Sequence, residues 1–487
     1  MTPSAASATH AHAPARTADL FAPGLRGLTA GLVSTITLVA LESLAIGTVM
    51  PIVARELGDL ELYGWVYSAF FLGNLIGIVV SGGALDRLPL HRPFAIGLGL
   101  FAAGLLVGGL APTMPVLVGA RFIQGLGGGA VGPTAYVAIG RCLPDRLQPR
   151  MFAMLSTAWV VPGLIGPSVA ALVGQGPGWR WVFLGLLPLL AVAGGLAVSA
   201  LRHVPAADPS GAEAEESRAT VRRLPNALLS AAGAGLLVAA LTAAEPLLAL
   251  GGSVLGLALL LPAFRRLTPA GTLVLAAGVP AAVLLRGVLT FAFFSGDAYV
   301  PLLLQTWRAT PATLTGIVFT ATTLAWTAGT WLQARRIDRV GPRRFLALGF
   351  GCVALGILLS LPVMVPGVPP EIVIATWSLA GVGMGLAYSA LTLVVLRDAP
   401  KAEQGAASSA LQLADILGTA LGTGVAGAIT ALGERSGGDG LGWGLALVFG
   451  MSVMTSAAGL VGSRRIRSTA PATGPTVPRS ADAPAVD

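Results

Sequence analysis

The sequence predicts an all-α integral membrane protein built as two pseudo-symmetric six-helix bundles plus two extra central helices. Three observations carry that expectation. Hydrophobic residues make up 54% of the 487 and charged residues only 11%, whereas soluble domains carry about 25% charge. The mean hydropathy is +0.80, so there is more apolar surface than a soluble fold can cover and lipid must be the main solvent. Apolar runs of about 20 residues, long enough to cross a bilayer as a helix, recur along the whole chain.

Six runs come first, near 28–52, 64–85, 94–112, 115–139, 152–174 and 180–201. A polar stretch separates them from 226–243 and 246–263, which meet at Glu245-Pro246, a turn signal that predicts a tight hairpin. Six more follow near 280–304, 312–334, 344–364, 371–396, 405–431 and 443–463. The predicted organisation is a disordered N-terminal tail (1–24), a first bundle (25–201), a cytoplasmic linker (202–225) and the central pair (226–263). A second linker (264–279), a second bundle (280–465) and a disordered C-terminal tail (466–487) complete it. Twelve spans with an embedded linker is the alternative, because removing the central pair leaves Arg265 and Arg266 on the same side. The 65 glycines suit close packing between membrane helices.

Charge tests the map. With the N-terminus in the cytoplasm, only Arg55, Arg180, Arg308 and Arg435 of the 30 strong bases fall outside, and Arg121 and Arg286 fall within spans. That bias follows the positive-inside rule. It predicts a multi-pass protein of the bacterial inner membrane with both termini cytoplasmic, and explains the net charge of +8 without nucleic acid. The N-terminal stretch has no apolar core, so a cleavable signal peptide is not expected. Cys142 and Cys352 read as structural thiols. The four His show no ligand spacing, and no phosphate loop or nucleophile elbow is present. An enzyme, a metal site and a cofactor are therefore not expected.

An internal repeat links the two bundles. Gly82-Gly-Ala-Leu-Asp86-Arg87-Leu-Pro-Leu-His91-Arg92 follows the second span. Ala334-Arg-Arg-Ile-Asp338-Arg339-Val-Gly341-Pro-Arg343-Arg344 holds the same place in the second bundle. Duplicated halves with a substrate site between them are how many secondary transporters are built. Both loops resemble the Gly-x-x-x-Asp-Arg-x-Gly-Arg-Arg signature of the major facilitator superfamily, although Pro89 and Leu90 stand where the first copy should have Gly and Arg. Arg121-Phe-Ile-Gln124-Gly125 resembles the family's Arg-x-x-Gln-Gly motif. Gly163, Gly166 and Pro167 resemble its helix 5 antiporter motif loosely, since Pro162, Ala170 and Ala171 replace glycines. Trp179-Arg180-Trp181 resembles the entry to helix 6 in drug exporters, and Glu42 to Pro51 the helix 1 motif, with Glu in place of Asp. The similarity is to the fourteen-helix drug:proton antiporter branch. It implies a secondary transporter coupling proton entry to efflux of hydrophobic or cationic drugs, or a related metabolite, by alternating access. Its partners would be a small-molecule substrate, protons and the lipid bilayer, and a monomer is expected. Uptake by proton symport and a non-transporting membrane sensor remain alternatives.

An ionisable group in hydrocarbon costs several kcal/mol, about 2.5–3.5 on insertion scales, so each one is a functional candidate. Glu42, Arg121 with Gln124, Asp297 and Asp415 are the candidates for proton coupling and the substrate cavity. Glu42 reads alternatively as a structural partner of Arg121, which needs an anion if buried. Arg286 lies near enough to the cytoplasmic end to snorkel. Asn74, Trp326, Trp377 and Gln412 are candidate cavity residues, with packing as their alternative. Asp86, Arg87, Asp338, Arg339, Arg343 and Arg344 are expected to gate by holding cytoplasmic helix ends together. Trp65, Trp179, Trp181, Trp307 and Trp443 are expected as interfacial anchors.

Overall fold

The computed structural model describes residues 17–85, 88–202, 204 and 212–466. Its first half consists of α1 (Arg26–Leu57), α2 (Tyr63–Leu85), α3 (His91–Gly109), α4 (Met114–Cys142), α5 (Gln148–Val173) and α6 (Arg180–Leu201, broken once at Gly185). Then come α7 (Ala212–Thr242) and α8 (Pro246–Leu267). The second half is α9 (Val279–Asp297), α10 (Ala312–Val340), α11 (Pro342–Ser360), α12 (Ile372–Asp398), α13 (Gln404–Arg435) and α14 (Gly440–Gly462). Among the described residues, twelve helices are long and apolar enough to cross a membrane, α7 and α8 included. The two that fall short are α4 and α10. Each carries polar residues in its interior, Arg121 and Gln124 in one and a run of threonines in the other.

Element boundaries follow local chemistry. Pro lies at the N-terminal turn of α8, α9 and α11, where its missing N–H costs nothing. Gly341 takes φ +83° between α10 and α11, a left-handed conformation suited to glycine. The Glu245-Pro246 hairpin forms as expected. Three boundaries differ from the sequence map. Thr17–Phe21 forms a short 3-10 turn with Leu20 buried, because Thr29 Oγ1 donates to the Leu20 carbonyl. The linker at 202–225 is helical from Ala212 onward. Helix α8 runs on to Leu267, past the expected end at 263.

Each half contains a very close helix pair at the matching position. A Cβ placed on Gly125 or Gly129 of α4 would lie 2.0 Å from the Phe70 carbonyl or 2.2 Å from the Asn74 carbonyl of α2. In the second half, a Cβ on Gly381 or Gly385 of α12 would lie 2.7 Å from the Thr322 carbonyl or 2.2 Å from the Trp326 carbonyl of α10. Only backbone-to-backbone approach of this kind permits either contact. The register matches as well: Asp86 follows Asn74 by the same twelve residues that separate Asp338 from Trp326.

Hydrogen bonds tie the halves at the end away from the termini. Tyr63 OH donates to the Ala298 carbonyl at 3.2 Å, and Ser68 Oγ to the Ala420 carbonyl at 2.8 Å. Gln305 Nε2 donates to the Thr48 carbonyl at 2.9 Å, and Thr320 Oγ1 to the Leu164 carbonyl at 3.0 Å. Arg435 joins Glu61 and also donates to the Thr242 carbonyl at 2.8 Å, so α7 is fastened to the same seal.

Candidate functional site

The close α2–α4 contact carries Arg121 into the first half. Its side chain is 2% exposed. Nε donates to the Val66 carbonyl at 3.2 Å, while Nη1 donates to Gln124 Oε1 at 2.6 Å and to Glu42 Oε1. The guanidinium also stacks over the Phe70 ring at 4.4 Å. Glu42, on α1, is 1% exposed, so the structure joins the two ionisable groups of this half in one buried ion pair. Its geometry fits the requirement that a charge out of water be paired.

The matching place in the second half is filled differently. Trp377 precedes Gly381 on α12 by the four residues that separate Arg121 from Gly125 on α4. Its indole N–H donates to Asp297 Oδ1, at the end of α9, at 2.8 Å. Trp377 is fully buried, as a packed donor and not as an open cavity wall. Among the described residues, no arginine or lysine forms an ion pair with Asp297.

Asp415, on α13, does have a cation beside it. Arg286 Nε lies 3.3 Å from Asp415 Oδ1, with the arginine side chain 6% exposed and the aspartate 20%. Arg286 does not snorkel. It is buried under α12, where Nη1 donates to the Tyr388 carbonyl at 2.7 Å and the guanidinium sits 3.0 Å over the Tyr388 ring. Tyr388, which sequence reasoning missed, also donates its O–H to Asp415 Oδ2 at 2.8 Å. The intramembrane Arg286 was the available signal, since such a charge must find acceptors or π faces nearby. Trp326 stands 5.6 Å from Tyr388 and 5.8 Å from Phe293, and Phe293 stands 5.9 Å from Trp377. A chain of aromatic rings therefore connects Asp415 with Asp297.

Of the other candidates, Asn74 is half-buried beside α4 and Gln412 is exposed one turn before Asp415. Gly163 and Pro167 lie on the seam between α5 and α10. A Cβ on Gly163 would meet the Thr323 methyl at 2.3 Å, and Pro167 lies against Gly316, while Gly166 faces Leu41 of α1. Asp338 pairs with Arg397 of its own half at 3.0 Å, and Arg339, Arg343 and Arg344 are exposed. Asp86 and Arg87 lie outside the described residues. Next to them, Arg141 at the end of α4 donates to the Leu85 carbonyl at 3.4 Å, much as Arg397 at the end of α12 reaches Asp338.

One expected interfacial anchor serves the protein interior instead, and two more are half-buried and hydrogen-bonded to neighbouring segments. Trp179 is 1% exposed and donates to Glu56 Oε2 at 2.7 Å, in a cluster completed by the Glu56–Arg180 ion pair. Trp307 donates to the Met364 carbonyl at 3.0 Å and Trp65 to Thr242 Oγ1 at 3.4 Å. Their N–H groups found acceptors on neighbouring loops and helix ends, which hydropathy cannot reveal. Trp181 and Trp443 do remain exposed.

Comparison with known proteins agrees with this architecture. A profile of the Major Facilitator Superfamily matches residues 32–423 and, separately, 283–484. A Mycobacterium tuberculosis protein named "Probable multidrug-efflux transporter" is 28% identical over 401 residues, 78% of this chain and 83% of its own. An uncharacterised transporter of Escherichia coli is 28% identical over 413 residues, 80% of this chain and 86% of its own. Among solved structures, an inward-facing bacterial homologue of the lysosomal transporter Spinster aligns over 91% of this chain and 98% of its own, with TM-score 0.64 and 14% identity. A D-xylose–proton symporter aligns over 92% and 98% with TM-score 0.60 and 15% identity. These structural likenesses concern the fold.

Proposed function

The chain belongs to the Major Facilitator Superfamily, and from that premise we propose a proton-coupled exporter of hydrophobic or amphipathic cations working by alternating access. The premise makes it a multi-pass membrane transporter of small molecules and not an enzyme. Export is supported by the relatives named for multidrug efflux. Residence in a bacterial inner membrane with both termini cytoplasmic is supported by the arginine bias of the loops. We read the transporter as a monomer with fourteen spans in all, α4 and α10 crossing beside the twelve more apolar helices. Their support is length and position: each has 29 residues and packs along a spanning partner. On this reading, 25–201 and 280–465 are the rocking halves and 226–263 the added pair. The Asp338–Arg397 pair, with Arg339, Arg343 and Arg344 beside it, serves the terminal-side gate.

One observation carries the coupling proposal. Glu42 and Asp415 each have an arginine as partner, whereas Asp297 accepts from the Trp377 N–H and, among the described residues, has no cationic partner. An acid in a water-poor site with no resident cation can be neutralised by a proton or by a cationic substrate. Alternation between those two occupants couples their fluxes. Arg121, Gln124 and Glu42 would then hold the first half rigid around that exchange. The test is transport by the purified protein in proteoliposomes with an imposed pH gradient, using cationic, neutral and anionic compounds. Export predicts cation movement opposite to the proton flux. Movement in the same direction as protons would establish uptake instead.

A further inference from the structure

We infer that a cavity at the end away from the termini binds a small carboxylate carrying its own hydrogen-bond donor, as α-hydroxy and α-amino acids do, and that this ligand bridges the two halves. The site is separate from the intramembrane acids and does not depend on the transport reading.

The cavity measures about 390 Å³, within the roughly 300–1,000 Å³ of small-molecule sites. The first half supplies Ile52 and Arg55 from the last two turns of α1, and Gln175 from the π-helical turn Gly174–Gly178 that continues α5. The second half supplies Gln305, from the π-helical turn Leu303–Trp307, and residues 309–312 leading into α10. Turns of this kind recur at functional sites, and here one from each half forms a wall.

Charge and polarity specify the ligand. No acidic residue lines the cavity. Arg55 is exposed and, among the described residues, forms no ion pair. Its neighbour Glu56 is engaged by Arg180 and Trp179. Helix α10 brings its N-terminus to the same space, since Ala312 is its first residue and no side chain caps it. The positive end of a 29-residue helix therefore adds to the Arg55 charge. Both features attract an anion.

Gln305 adds a different demand. It is 3% exposed, and its Nε2 donates to the Thr48 carbonyl at 2.9 Å and to Thr315 Oγ1 at 3.1 Å. A carbonyl can only accept, so the amide nitrogen is held on that side and Oε1 is turned away from it. That Oε1 has no hydrogen-bond partner among the described residues, and a buried acceptor without a donor is unfavourable. A ligand whose carboxylate meets Arg55 and the α10 N-terminus, and whose O–H or N–H reaches Gln305 Oε1, answers all three groups. Arg55 belongs to one half, and Gln305 and α10 to the other, so the same ligand holds this end of the seam together.

The experiment titrates L-lactate into the full-length protein in lipid nanodiscs, followed by saturation-transfer NMR. Propionate, which lacks the hydroxyl, and lactamide, which lacks the charge, are titrated in parallel. L-Lactate should saturate, binding several-fold more tightly than propionate and about tenfold more tightly than lactamide. Arg55→Gln should weaken lactate binding by about tenfold and bring it level with lactamide, whereas Arg55→Lys should keep most of the affinity. Gln305→Met should remove the advantage of lactate over propionate. In wild-type protein, saturating lactate should slow amide hydrogen exchange in both 174–178 and 303–312. Equal affinity for the three compounds, no saturable binding, wild-type lactate affinity in Arg55→Gln, or protection confined to one wall overturns the site. The three-compound comparison and the exchange measurement use wild-type protein, so they decide the matter even where Gln305→Met fails to fold.

Discussion

Each half of the molecule carries an acid on its first helix and a partner for it on the fourth, but the partners differ. In the first half Glu42 meets Arg121, and in the second Asp297 meets Trp377. The helix pairs that present Arg121 and Trp377 share the same glycine spacing and the same backbone-to-backbone approach. Duplication thus preserved the frame and changed one side chain at its centre. A guanidinium brings a full charge and five donors, whereas an indole brings one donor and no charge. The first acid is closed off in a buried ion pair, and the second has, among the described residues, an indole donor and no cation. On the proposed function, the repeated fold holds one fixed electrostatic site in the first half and one exchangeable site in the second.

The comparison breaks most visibly at Arg121. Arg121→Gln leaves Glu42 buried without its cation, and removal of one partner from a buried pair costs about 3–5 kcal/mol. We expect a large drop in thermal stability of the purified protein together with loss of transport. Glu42→Gln combined with Arg121→Gln should recover much of the stability. Equal stability of single and double variants would show that the pair is not the electrostatic unit described above.

Asp297→Asn should act in the opposite way. It keeps an acceptor for the Trp377 N–H, so folding and melting should be close to wild type while pH-driven transport falls to background. Retained proton-driven transport would take Asp297 out of the coupling step. Trp377→Phe keeps the ring and removes the donor. A hydrogen bond to a charged group contributes about 1.5–3 kcal/mol, so initial transport rates should fall roughly tenfold with the protein still folded.

Smaller effects test the shared frame. Gly125→Ala and Gly385→Ala each push a methyl against a backbone carbonyl, at 2.0 Å and 2.2 Å. Overpacking of this kind costs about 1–3 kcal/mol, and similar losses at the two sites in melting experiments would sharpen the equivalence of the halves. Asp338→Asn sits at the bottom of the scale. Its pair with Arg397 is exposed, and such pairs contribute about 1 kcal/mol or less. Stability should hardly change, so any transport defect would report gating.

Much of the molecule was legible from composition and spacing. The apolar runs located the helices, Glu245-Pro246 located the hairpin, and the two Asp-Arg loops revealed the duplication. Glu42, Arg121, Asp297 and Asp415 stood out because charge is rare in such sequence. Partnership was not legible. Arg286 read as a snorkelling residue because its distance from the helix end was all the sequence supplied, and the Tyr388 ring and carbonyl that hold it come from a helix about a hundred residues away. Trp179 read as an interfacial anchor for the same reason, its acceptor Glu56 lying at the far end of α1.

Sequence by itself determined which segments form long apolar helices, which loops the bases favour, and which few acids must be accounted for. Those are one-dimensional properties, because hydropathy and charge are carried by each residue wherever it ends up. Tertiary structure alone decided that Glu42 would pair with Arg121, that Asp297 would accept from the Trp377 indole with no cation beside it among the described residues, and that Asp415 would have both Arg286 and the Tyr388 hydroxyl as partners. Pairing energies depend on distances of a few ångströms between side chains on different helices, and those distances exist only once glycine-lined backbones have packed together.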